Sequence, residues 1–299
     1  MSRSLRCSTL LLFVACRATP PAVPGELIDD SGARTTLPAP PHRIVSLIPA
    51  TTELLFALGA GDRLVGRTSF CDYPAEAARV PDLGNGIEPN VEAVVAAKPD
   101  LVLLYRSGAN RGAAERFRGL GVPVLELATD RIADMARITR LLGRALALRE
   151  AAESLVAKTD RDLASASALS REAVQPSNRP TVFILAWDRP VMTLGRGSFL
   201  SEILEHAGAR NLFEDLAASS AQVSLETVAA RDPDFILATS AGDPAIAGRP
   251  EWRVVRAVRE RHFVHVQGSE FNRPSPRIGQ AVRELVAALA AARAPLAPR

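Results

Sequence analysis

Cysteine is scarce in this chain: three in 299 residues, at Cys7, Cys16 and Cys71. Cys71 is the one left beyond an N-terminal segment that reads as removable, so no internal disulfide can staple the globular part. The fold must therefore stand on its core, and 47% hydrophobic content in 299 residues suffices for one large core or two ordinary ones. Blocks of five or more Lys/Arg are missing despite a net charge of +3, because basic and acidic residues alternate along the chain. Nucleic-acid binding, which needs a concentrated basic face, is set aside on that ground. No segment beyond the N-terminus reaches the ~20 uninterrupted apolar residues of a membrane-spanning helix.

Motif-bearing chemistry is missing as well. There is no G-x-x-x-x-G-K-[ST], no G-x-S-x-G, no H-E-x-x-H and no C-x-x-C. Of the four histidines, His42, His206, His262 and His265, the last two lie three apart on what reads as a strand, so they point to opposite faces. No metal site and no cofactor is expected. A Ser/His/Asp triad assembled from distant positions leaves no motif, so an exported hydrolase or metal-dependent enzyme stands as the competing reading.

The N-terminus carries an address. "MSRSLR" is a basic start, "STLLLFVA" a short apolar run, and Cys16 follows small residues. Residues 1–16 read as an export signal. "FVAC" resembles a bacterial lipobox, with Phe13 in place of the usual Leu; on that reading Cys16 carries lipid and tethers the domain to a membrane surface. Ordinary signal cleavage nearby is the alternative. Residues 17–25, "RATPPAVPG", read as a Pro-rich linker.

The stretch "VEAVVAAKPDLVLL" at 91–104 returns as "LETVAARDPDFILA" at 225–238. Glu92 and Glu226 each stand eight residues before an Asp, Asp100 and Asp234. The surrounding pattern doubles too. From residue 26 to 130 a hairpin around Asp30-Ser31-Gly32 leads into alternating strands and helices, starting with "RIVSLI", "LLFALGAG" and "RLVGRTS". Residues 131–171 hold helical spacing without Pro, ~60 Å if continuous. The α/β pattern then restarts over 180–293. The expected fold is α/β: two Rossmann-like lobes with parallel sheets, joined by one long α-helix.

In such a fold ligands bind beyond the carboxyl ends of parallel strands, in the cleft between lobes. That rule nominates Pro49 and Ala50, Phe70 to Tyr73, Asn85 and Gly86, Tyr105, Trp187 and Met192, and the run Ser269, Glu270, Phe271, Asn272, Arg273. Aromatics are only 5% of the chain, yet Phe70, Tyr73, Tyr105, Trp187 and Phe271 fall at these loops. An apolar, flat or ring-bearing ligand is expected. The alternative is that each ring caps its own lobe's core.

The segments "RIVSLIPATTELLFALG", "CDYPAEA", "NVEAVVAAKPDLVLLYR" and "NRPSPRIGQAVREL", in this order from about residue 43 to 289, resemble the periplasmic cobalamin-binding proteins of ABC importers. That family sits within a helical-backbone class which also carries ferric siderophores and haem. The resemblance implies a corrinoid ligand, an ABC permease with a cytoplasmic ATPase as partner, and little lobe movement. It places a docking glutamate for each permease subunit at Glu92 and Glu226, which helix N-terminal placement alone would also explain. It puts Phe70, Tyr105, Ser220 and 269–273 at the ligand. The family commonly has a Trp near Asn85 or Gly86, another near Ser220 and an Asp near Ser269; this chain has none of the three. That leaves a ferric siderophore or haem as the alternative ligand. A sensory lipoprotein with a filled pocket is a third reading.

Overall fold

A computed structural model describes residues 25–173, 178–239 and 242–293. The export signal, Cys16 and all of the linker except Gly25 lie outside the described residues. The first lobe opens with a short antiparallel hairpin, β1 (Leu27–Ile28) and β2 (Arg34–Thr35). Four strands then form its sheet: β3 (Ile44–Ser46), β4 (Leu64–Arg67), β5 (Leu101–Tyr105) and β6 (Val124–Leu127). They run parallel in the order β4-β3-β5-β6. Helices α1 (Pro49–Ala57), α2 (Val91–Ala96) and α3 (Arg111–Gly119) connect them.

Strand alternation divides the core. Ile44, Leu101, Leu103 and Leu125 pack into one cluster, while Val45, Val102, Leu104 and Val124 pack into another on the opposite face. Burial on both faces explains why these strands read as unbroken apolar runs.

The region expected to be one long helix is two. Helix α4 (Ile132–Ala145) and helix α5 (Arg149–Ala173) are separated by a turn in which Ala147 takes φ +58° and the Leu148 N–H reaches the Gly143 carbonyl at 2.8 Å. This is a helix-ending turn of the left-handed type, usually marked by Gly. Here the left-handed residue is Ala, which gives the sequence no punctuation. Helix α4 belongs to the first lobe, burying Met135, Ile138, Leu141 and Leu142 in its core. The bridge is α5, whose 25 residues span ~37 Å. Its Ala152 is buried in the first lobe's core and its Ala166 in the second's.

The second lobe contains β7 (Thr181–Asp188), β8 (Val191–Leu194), α6 (Phe199–His206), β9 (Arg210–Asn211), β10 (Ser220–Gln222), α7 (Leu225–Arg231), β11 (Phe235–Ala238), α8 (Arg256–Arg259), β12 (Phe263–His265) and α9 (Ile278–Arg293). Strands β9, β7, β11 and β12 are parallel. Its sheet is not purely parallel, however: β7 turns at Arg189-Pro190 into β8, and β8 pairs with β10, both antiparallel. A two-residue connection permits only that arrangement.

The sequence repeat has a structural meaning. Lys98 and Asp232 take φ +48° and +42°, each just before the Pro that ends its helix. Two residues on, Asp100 accepts hydrogen bonds from the His42 and Arg43 N–H groups at 2.8 and 2.9 Å, and Asp234 from the Thr181 N–H at 2.8 Å. Each Asp thus pins the start of its lobe's first parallel strand, β3 or β7. Among the described residues no helix is long and apolar enough to cross a membrane.

Candidate ligand-binding cleft

A cleft of about 920 Å³ opens between the lobes, toward the upper end of the range for small-molecule sites. Its first wall is built from the residues at the carboxyl end of each parallel strand: Leu47 to Ala50 after β3, Ser69, Phe70 and Asp72 after β4, Tyr105 at the end of β5 and Asn110 after it, Thr129 and Asp130 after β6. The loop Asn85-Gly86-Ile87 joins them. Gly86 takes φ +76°, and a Cβ there would lie 2.7 Å from the Leu47 carbonyl oxygen, so only glycine lets this loop close on β3. The opposite wall comes from Leu194, Ser198 and Phe199, from Ser219 and Ser220, and from Asn272 to Pro274.

Two sets of contacts join the lobes at the cleft. The Phe199 N–H donates to the Asp130 carbonyl at 2.7 Å, and Glu202 accepts from the Arg131 side chain and from the Ile132 N–H at 2.7 Å. At the other side Arg277 grips Glu53 through two hydrogen bonds of 2.8 and 2.9 Å, pairs with Glu270, and stacks over the Tyr73 ring at 3.7 Å. Burial works against the Arg277 charge, but Glu53 and Glu270 outweigh it and raise its pKa. Arg273 donates to the Phe70 carbonyl at 3.2 Å and pairs with Asp72. The loops bearing Phe70 and Arg273 are therefore tied together across the lobes before any ligand arrives.

Chemically the cleft is a binding surface of apolar faces with a few polar groups. Phe70, 57% exposed, Ile87, Leu194 and Phe199 supply the apolar area. Tyr105 donates its hydroxyl to Asp130 at 2.6 Å; burial, reinforced by that bond, pushes its pKa up to about 12. The phenol stays protonated. None of the described lining residues is His, Cys or Met, and no cluster of three metal-binding side chains occurs among the described residues.

Of the nominated residues, Pro49, Ala50, Phe70, Asp72, Asn85, Gly86, Tyr105, Ser220, Asn272 and Arg273 line the cleft. Seven do not. Cys71 is buried, and the Tyr73 ring lies under the Arg277 guanidinium. Trp187 is 62% exposed near the tip of the β7–β8 hairpin, its indole N–H donating to the Arg189 carbonyl at 3.0 Å. Met192 sits within β8, opposite Trp187 and Gln222. Phe271 is buried in the second lobe's core. Glu270 and Ser269 turn toward Arg277, Ser269 accepting from it at 3.0 Å. The sequence reading missed Asp130 and Phe199. Asp130 comes after β6 by the same carboxyl-end rule that found Tyr105; Phe199 opens a helix capped by Ser198, which accepts from the Ser201 N–H.

Glu92 and Glu226 occupy equivalent places in the first turn of α2 and α7, after N-caps Asn90 and Ser224. Hydrogen bonding to backbone N–H groups lowers both pKa values, with Arg116 adding to the effect at Glu92 and Ser224 at Glu226. Both are fully charged at neutral pH.

A family model described as periplasmic binding protein matches residues 44–269. The chain belongs to that family. Vitamin B12-binding protein of Yersinia pestis is 30% identical over 267 residues, covering 88% of this chain and 91% of that one. An uncharacterised ABC transporter substrate-binding lipoprotein of Bacillus subtilis is 28% identical, covering 88% and 84%. Among solved structures, the periplasmic vitamin B12-binding protein of Vibrio cholerae matches with a TM-score of 0.71 at 28% identity, over 85% of this chain and 99% of that chain. The periplasmic haem-binding protein of Roseiflexus matches at 0.74 and 26%, over 84% and 98%. The expectation of a two-lobed substrate-binding protein of an ABC importer holds, and relatives named for both expected ligand classes are found.

Proposed function

We propose that this binding protein captures a corrinoid in the inter-lobe cleft and delivers it to an ABC permease without chemical change. The carrying observation is the pairing of a large cleft walled by Phe70, Phe199, Ile87 and Leu194 with a lining that, among the described residues, offers no His, Cys or Met donor. Its tyrosine is held as a neutral phenol. A corrinoid brings its metal already enclosed in a ring and needs flat apolar contact with scattered hydrogen bonds. Haem with an open axial position would find no ready ligand here, which disfavours the haem alternative. A ferric siderophore, whose iron is also enclosed, remains the competing cargo.

Glu92 and Glu226 act as the two docking charges, one per lobe, giving orientation and on-rate at the permease. The chain acts outside the inner membrane, exported by residues 1–16, with Cys16 as its lipid anchor.

The test is calorimetric titration of the exported protein with cyanocobalamin, dicyanocobinamide, haem and a panel of ferric siderophores. Tryptophan fluorescence is a poor reporter, since Trp187 is on an exposed hairpin outside the cleft and Trp252 is buried in the core. Saturable one-to-one binding of a corrinoid is the expected result. Binding of an iron chelate alone moves the cargo; no binding at all returns the enzyme and sensor readings.

A further inference from the structure

One corner of the cleft carries a charge that the rest of the lining does not cancel. Among the described residues, three charged side chains line the cleft: Asp72, Arg273 and Asp130. Asp72 and Arg273 neutralise each other, and Arg273 also lies 3.6 Å from Glu53. Asp130 has no ion pair among the described residues. Its Oδ1 accepts from the Tyr105 hydroxyl at 2.6 Å, and its backbone N–H is taken by Asp134. Of the neighbouring cations, Arg131 is bound by Glu202, and Arg106 is exposed and outside the lining, its charge reaching the Tyr105 hydroxyl without forming an ion pair with Asp130.

A second, independent feature lies at the backbone end of the same tyrosine. Asn110 is 1% exposed and lines the cleft beside Tyr105. Its Nδ2 donates to the Tyr105 carbonyl at 3.0 Å, which fixes the amide's orientation. The Oδ1 is left buried with no hydrogen-bond partner among the described residues. A buried acceptor in that state is costly and favours a donor brought from outside.

From this geometry we infer that Asp130, held by the hydroxyl of Tyr105, whose backbone carbonyl is in turn held by Asn110, is an acceptor subsite that selects ligands presenting N–H donors, amide or ammonium, and rejects those presenting carboxylates there. The inference rests on the proposed function and narrows it. A corrinoid with amidated side chains satisfies the subsite; a carboxylate would meet a like charge that no ion pair among the described residues neutralises. Tyr105 acts as a positioning residue, orienting the Asp130 carboxylate.

The experiment compares matched probes by calorimetry on the exported protein. One arm sets dicyanocobinamide, which bears amides, against dicyanocobyrinic acid, which bears carboxylates in their place. The other sets ferrioxamine B, with its ammonium tail, against its N-succinylated form, so that the two sources of an N–H donor are distinguished. In the arm that binds, the donor-bearing probe is expected to be favoured at least about tenfold. Asp130→Asn keeps the side chain's shape and should bring that ratio within about threefold, chiefly by tightening the carboxylate probe. Tyr105→Phe keeps the charge but frees its orientation, and should give an intermediate ratio. A general loss of fold lowers both affinities and leaves the ratio unmoved. Binding without preference, or a ratio unchanged in an Asp130→Asn variant that keeps the native affinity for the donor-bearing probe, overturns the subsite while leaving the importer reading intact. Binding in neither arm overturns both together.

Discussion

Arg277→Met is the substitution that asks most of this structure. Arg277 projects from the turn before α9 in the second lobe and is held by Glu53 of α1 in the first, by Glu270, and by the face of Tyr73. The Glu53 and Glu270 side chains are 3% and 6% exposed. Removing the cation strands the buried Glu270 carboxylate and leaves buried Glu53 with only the longer contact to Arg273, at 3.6 Å. Breaking a buried pair from one side costs about 3–5 kcal/mol, because the stranded charge has no water to return to. For a domain of this size that corresponds to a fall of roughly 10 °C in Tm, at about 2–4 °C per kcal/mol. Urea unfolding followed by circular dichroism reads the difference directly. Glu53→Gln combined with Arg277→Met should recover part of the loss, giving a coupling energy of at least about 1.5 kcal/mol. A single-mutant cost below about 1 kcal/mol, or additivity of the two changes, would refute the view that this pair is a desolvated strut between lobes.

Three further outcomes are expected. Gly279→Ala places a Cβ 2.7 Å from the Asp162 backbone where α9 lies on α5, so it should destabilise by about 1–3 kcal/mol in thermal melts; a neutral result would mean the helices are not in close contact. At Asp234 burial opposes the charge, but the Thr181 hydrogen bonds prevail and the pKa is lowered. Its contribution is therefore present above the ordinary carboxylate pKa and lost as pH falls through the folded value, so Asp234→Asn should flatten the acid limb of a stability–pH curve, and an unchanged limb would contradict the pin. Replacing Glu92 and Glu226 together by Ala should weaken permease coupling in a vesicle transport assay with ligand affinity unchanged; an equal loss of ligand binding would sink the docking role.

The sequence was informative wherever its signals are local. The strands β3, β5, β6, β7 and β11 were legible because burial on both faces leaves an unbroken apolar run. The helix 131–171 was misread because Ala147 turns left-handed without a Gly or Pro to announce it. Carboxyl-end logic found Tyr105 and Phe70, since β5 and β4 end at the cleft. The same logic failed at Trp187 and Met192, because β7 does not stop where a parallel strand would but runs on into an antiparallel hairpin. Phe271 was misplaced by direction: its loop lines the cleft at Asn272 and Arg273, while one residue earlier the side chain faces the core. Pairs such as Glu53 with Arg277 join positions 224 apart, and nothing local in one sequence marks them.

Whether the inter-lobe cleft is the ligand's seat is read most directly from a crystal structure of the protein grown with cyanocobalamin. The corrin ring should lie between Phe70 and Phe199, with an amide within hydrogen-bonding distance of Asp130 and the Glu53–Arg277 strut intact. Density for the ligand anywhere else, or a cleft that stays empty under saturating cyanocobalamin, would contradict that placement.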